Sequence, residues 1–188
     1  FLIGLGFMMV EIGTIQRMSI FLGHPVYSLA IVLFSLILLT GIGSFLSDYI
    51  RLDHRPARLV GYALVLSALL ASSALLAPTL LHSFEPADLI TRALVAIGLI
   101  TPAALLMGFG FPVGMALAGR IDSTPTPWFW SVNGAAGVFG SGVAVIISMN
   151  LSIPATLMAG ALCYLLLIPP ALQLSRLART AAPTTDSV

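Results

Sequence analysis

Apolar residues run along this chain in long blocks, and short polar stretches separate them. A bilayer-crossing helix needs about 20 mostly apolar residues, and six blocks reach that length. The first extends from Phe1 to about Phe21 and is closed by the turn Gly23-His24-Pro25. The second runs from about Tyr27 to Leu46, followed by the polar stretch Ser47 to Arg58. The third runs from about Leu59 to Leu81 and ends at "HSFEPAD". The fourth, from about Leu89 to Ala118, is too long for one straight span. Pro112 lies inside its "MGFGFPVG" stretch and removes a helical hydrogen bond, which predicts a helix kinked or broken near Gly108–Pro112. The fifth runs from about Trp128 to Met149. The sixth starts near Pro154, a proline suited to a first helical turn, and ends near Leu174. The expected organisation is an all-α integral membrane bundle over residues 1–174, then a polar, disordered cytoplasmic tail over 175–188.

Composition sharpens this picture. Of 188 residues, 59% are hydrophobic and 8% charged, against about 25% charged in a soluble domain. The formal charge of +1 argues against a nucleic-acid partner; the partner composition implies is the lipid bilayer. All eight basic residues are Arg, so chemistry that needs a lysine, such as a Schiff base or a P-loop, is excluded. Cys163 is the sole cysteine, which excludes an intrachain disulfide and a cysteine metal cluster. The chain starts at Phe1 without a signal-peptide pattern and reads as a segment of something longer. With six spans, Arg51, Arg55, Arg58, Arg120, Arg176 and Arg179 collect on the side that holds both ends. The positive-inside rule makes that side cytoplasmic.

Few residues offer chemistry inside the bilayer. Glu11 sits about 15 Å along the first helix if that helix begins at Phe1. An ionised carboxylate at the membrane centre costs about 2.5–3.5 kcal/mol. Glu11 must therefore face the bundle and meet a polar group from another helix, with Asn133 a candidate, or else be protonated. It is either a structural clamp or a substrate or proton site. Arg17 is six positions on, roughly 240° around the helix, so the two do not pair directly. Asn133, one turn inside the interfacial Trp128 and Trp130, is either helix glue or a ligand contact. His24, His82, Glu85 and Asp88 collect at the other face without the spacing of a metal site, so no metal is assigned. "GFGFPVG" lacks the spacing and the strand of a dinucleotide fingerprint. Ala136, Gly140 and Ala144 form a row of small residues that either packs inside the molecule or makes a dimer face. No pattern supports a catalytic site or a cofactor in this segment.

Taken together, Gly4-Leu5-Gly6-Phe7, Glu11, Gln16-Arg17, "FLGHPVYSL" (Phe21 to Leu29), Gly41-x-Gly43-Ser44, "GFGFPVG" and "WFWSVNGAAG" (Trp128 to Gly137) carry a resemblance. They are similar to the C-terminal membrane part of bacterial spermidine-synthase-like proteins fused to major-facilitator-like transmembrane helices. The resemblance implies an aminopropyltransferase-like domain upstream or on a partner chain, with its cofactor held there. It implies a membrane module in the cell inner membrane that handles or translocates a small, cationic solute of polyamine type. Glu11 would carry the charge, and Gln16, Arg17, His24 and Asn133 would shape the binding site. The alternative is a non-transporting anchor or accessory subunit of a larger membrane complex.

Overall fold

The computed structural model describes residues 1–50 and 55–180. Arg51, His54 and residues 181–188, to which the sequence reading assigned loop and tail roles, lie outside the described residues. The elements are α1 (Leu2–Leu22), α2 (Pro25–Ile50), α3 (Pro56–His82), α4 (Leu89–Gly119), α5 (Thr126–Asn150), α6 (Ile153–Leu165) and α7 (Ile168–Thr180). Among the described residues, six helical stretches are long and apolar enough to cross a membrane, α6 and α7 together forming the last, Ile153–Thr180.

The helix ends follow local chemistry. Gly23 closes α1 in the left-handed conformation, φ 77°, which glycine adopts without a Cβ penalty. Pro25 then opens α2, where its missing N–H is not needed. Asp88 caps α4 by accepting from the Ile90 and Thr91 amides, and Ser152 caps α6 by accepting from the Ala155 amide. Pro56 and Pro154 also occupy first turns.

Two expectations about helix continuity change. α4 is one continuous helix through Gly108–Pro112, so it is not broken there. The interruption falls instead in the last span, at Leu166-Leu167, directly before Ile168-Pro169-Pro170. Two consecutive prolines remove two donors and crowd the preceding turn, whereas single prolines at 102 and 112 each remove one. Residues 175–180, expected within a disordered tail, form the end of α7, with Ser175 and Ala178 buried.

α1 is the centre of the bundle, packing on α2, α4, α5 and α6 and touching α3. Glycines allow the closest approaches. A Cβ on Gly43 would meet the Leu105 backbone, and one on Gly108 would meet the backbone of Thr40 and Ser44. Gly108 is thus where α4 presses on α2. On α1, a Cβ at Gly4 would meet the Asn133 carbonyl of α5, and a Cβ at Gly6 would come 2.9 Å from Cys163 Cβ of α6. The small-residue row of α5 serves the same purpose. Ala136, Gly140 and Ala144 are its buried residues, and a Cβ at Gly140 would lie 3.1 Å from the Leu5 carbonyl oxygen. The row packs within the molecule against α1.

Candidate functional site

A cavity of 870 Å³ opens between α1, α2, α4 and α5. Ile3, Gly4, Phe7 and Met8 form its floor on α1, and Met107, Gly108, Phe111 and Pro112 continue it on α4. α2 contributes Ile37, Thr40, Gly41 and Ser44, and α5 contributes Trp130, Asn133, Gly134, Gly137 and Ser141. The space exists because α2 and α5 each pack on the centre but have no packed interface with each other. Five of its wall positions are glycine, and at two of them the space beside the backbone is open. A Cβ at Gly41 or Gly134 would meet nothing within 4 Å. At the end where α5 begins, Phe111 and Trp130 close edge to face, with centroids 4.5 Å apart at 67°. Aromatic pairs favour this arrangement because the ring edge is positive and the face negative.

The wall carries a few polar groups, two of which are hydroxyls already bonded within their own helices. The Thr40 hydroxyl donates to the Leu36 carbonyl at 2.6 Å, and the Ser141 hydroxyl donates to the Val138 carbonyl at 2.8 Å. Both spend their proton on their own helix and keep oxygen lone pairs free. Asn133 Oδ1 is buried against Gly4 without a hydrogen-bond partner. Most of the remaining lining is aliphatic, aromatic or thioether. A guest with an apolar body and a hydrogen-bond-donating head matches this wall.

The residues expected to build one site are distributed over three places. Asn133 lines the cavity. Glu11 is 8% exposed and one turn from the wall residues Phe7 and Met8, and its carboxylate makes no hydrogen bond. The expected contact with Asn133 is not formed. Asn133 sits against Gly4, seven positions away on α1, which is about 10 Å along the helix.

Arg17, 7% exposed, faces α3 instead. Its Nη1 donates to the Ser73 carbonyl at 2.6 Å and its Nη2 to the Ala74 carbonyl at 2.9 Å. Pro78 lies four residues beyond Ala74 and has no N–H to return to that carbonyl. The guanidinium therefore occupies an acceptor left vacant by a proline, and Arg17 is a clamp between α1 and α3. Arg92 does similar work at the other face, where its Nη1 donates to the Phe21 carbonyl in the last turn of α1 at 3.0 Å.

Gln16 is half-buried beside Arg17, off the cavity wall, with its Oε1 unpartnered. His24 stays in the exposed turn, where Nδ1 accepts from the Val26 amide at 3.2 Å and the ring lies 5.3 Å from Tyr27. His82 Nδ1 and Glu85 Oε2 are 3.0 Å apart on the surface near His82's helix end. None of these three reaches the cavity.

The sequence reading assigned no site role to Thr40, Gly41, Ser44, Phe111, Gly134 or Ser141, all of which wall the cavity. The signal available was a glycine with a neighbouring polar side chain, in Gly41-x-Gly43-Ser44 and in Asn133-Gly134. No protein-family profile, curated protein or solved structure matches this chain.

Proposed function

We propose that this chain is the membrane module of a spermidine-synthase-like fused protein and that it binds and passes across the bilayer a small, amine-bearing solute. The observation that carries this reading is the 870 Å³ cavity among α1, α2, α4 and α5, lined mostly by apolar side chains, in which the Thr40 and Ser141 hydroxyl oxygens keep lone pairs for a donating guest. An ammonium or amine head supplies the missing donors, and the methylene body of such a solute suits the apolar remainder. Glu11, one turn from the wall and unpartnered, supplies the counter-charge or the exchanged proton. An unpaired charge inside the bundle is unfavourable by several kcal/mol, so an arriving cation gains from meeting it. In this reading the bundle lies in the cell inner membrane, with the arginine-rich end and both termini on the cytoplasmic side.

The second reading is a non-transporting anchor or accessory subunit. It is favoured by the outer face of α5, which leaves Trp128, Phe139, Ile146 and Met149 exposed. Those side chains suit lipid or a helix of a partner equally.

Cysteine accessibility separates the two. In a Cys163→Ala background, single cysteines at Gly41, Ser44 and Ser141 are treated with a charged, water-soluble methanethiosulfonate, with Phe34→Cys on the outer face of α2 as control. The transport reading expects the three cavity positions to react faster than the control and spermidine to slow them. Glu11→Gln should remove the protection by spermidine without changing the fold. Cavity positions as inert as Phe34→Cys would leave only the anchor reading.

A further inference from the structure

The geometry points to a second, separate site: an anionic phospholipid bound between α3, α4 and α7, one acyl chain inserted into the bundle and its phosphate held by arginines at the mouth. A cavity of 180 Å³ lies there, walled by Leu59 and Tyr62 of α3, Val113 and Leu117 of α4, and Ala171 and Leu174 of α7. Its lining is almost wholly apolar. The Tyr62 hydroxyl is turned away to donate to the Leu106 carbonyl at 3.0 Å, so it offers no proton to a guest. The cavity exists because the last span breaks before Pro169-Pro170, which lets α7 lean on α3 and α4 as a separate piece.

Helical register places positive charge at one end of this cavity. Arg55 and Arg58 stand one turn before Leu59 and Tyr62, at the start of α3. Arg179 follows Ala178, which is buried with Leu59 and Leu117 in one cluster. All three arginines are exposed, and no ion pair or side-chain hydrogen bond holds them among the described residues. The α3 N-terminus beside them has no side-chain cap, so its first amides add partial positive charge. Apolar depth beneath a positive mouth is the complement of an anionic amphiphile. A free phosphate would leave the apolar cavity unused, and a neutral lipid would leave the arginines unused. Basic pockets between spanning helices bind anionic headgroups on this principle.

The test is native mass spectrometry of the purified chain in detergent, titrated separately with dioleoylphosphatidylglycerol, dioleoylphosphatidylcholine and inorganic phosphate. One phosphatidylglycerol should bind per chain, at least about tenfold more tightly than phosphatidylcholine. Arg55→Gln/Arg58→Gln/Arg179→Gln should bring it down to the phosphatidylcholine level. Ala171→Phe, which fills the cavity and keeps the arginines, should lower retention as well. Arg176→Gln, on the far side of α7 from the cavity by register, should change nothing. Equal affinity for the two lipids overturns the proposal, as does an equal loss on Arg176→Gln, which would mean diffuse surface attraction. Displacement of the lipid by phosphate alone overturns it in favour of a simple anion site. If the triple variant does not fold, the comparison of lipids on the native chain and the Ala171→Phe result decide.

Discussion

Arg17 and Pro78 are predicted to be energetically coupled, although 61 positions separate them in the chain. Arg17 donates at 2.6 Å to Ser73 and at 2.9 Å to Ala74, and Ala74 is the carbonyl that Pro78 cannot serve. A hydrogen bond to a charged donor contributes about 1.5–3 kcal/mol in soluble proteins. Interhelical hydrogen bonds in a membrane average only about 0.6 kcal/mol and reach about 1.7 kcal/mol, because the dissociated helices also find partners. Arg17→Met alone is a poor measure, since it also removes a charge that burial disfavours. A double-mutant cycle cancels that term. In Pro78→Ala the new amide at position 78 can satisfy the Ala74 carbonyl, so Arg17 has less to contribute. Only the Ala74 bond depends on Pro78, so the coupling should be about 1 kcal/mol, in the upper half of the membrane range. The measurement is unfolding by sodium dodecyl sulfate in mixed micelles, followed by far-ultraviolet circular dichroism, on the native chain, both single variants and the double. Additivity within about 0.3 kcal/mol would refute the assignment of Arg17 to the proline-vacated carbonyl.

Three further outcomes follow from the geometry. Gly43→Ala and Gly108→Ala place a methyl group onto opposing backbone and should each destabilise by about 1–3 kcal/mol in the same assay, whereas Gly98→Ala, which meets nothing within 4 Å, should be neutral or slightly stabilising. The Asp88 carboxylate is held below its ordinary pKa chiefly by the Thr91 hydroxyl and amide, so its ionised form stabilises the fold. The melting-temperature advantage of the native chain over Asp88→Ala should therefore be full above the ordinary carboxylate range and shrink as pH falls through the depressed value; an advantage that grows on acidification would contradict the cap. In a Cys163→Ala background, Ser83→Cys should label from outside intact cells and Ser123→Cys only after permeabilisation, and the reverse pattern would invert the topology.

Much of the fold was written in the hydropathy blocks, because a span must be apolar along its whole length whatever it packs against. The first five boundaries fall within a few residues of where polar stretches and prolines put them. The last span was misread. Its Pro169-Pro170 pair was visible, but the single Pro112 drew the expected break to α4, where glycine packing against α2 keeps the helix intact. The site was less legible. The sequence implies a vacant carbonyl at Ala74 from Pro78 alone, but only the folded bundle shows that Arg17 fills it. The large cavity is bounded by glycines, hydroxyls and aromatics from four helices, none distinctive within its own segment. Glu11 is buried and Asn133 buries its Oδ1, yet how far apart they lie depends on where α5 crosses α1, a packing outcome that neither segment shows alone.

The central position of α1 bears on how the chain enters its membrane. α1 has the lowest mean hydropathy of the six spans and is the most buried of them. Its preferred surroundings are the other helices, not lipid. During synthesis it leaves the ribosome before α2 through α7, carrying Glu11, Gln16 and Arg17 ahead of the helices that pack on it here. The carbonyls that Arg17 requires arrive only with Ser73 and Ala74 on α3. The clamp between α1 and α3 can therefore close only once the third span is in place, which makes assembly of this bundle cooperative and not a helix-by-helix event.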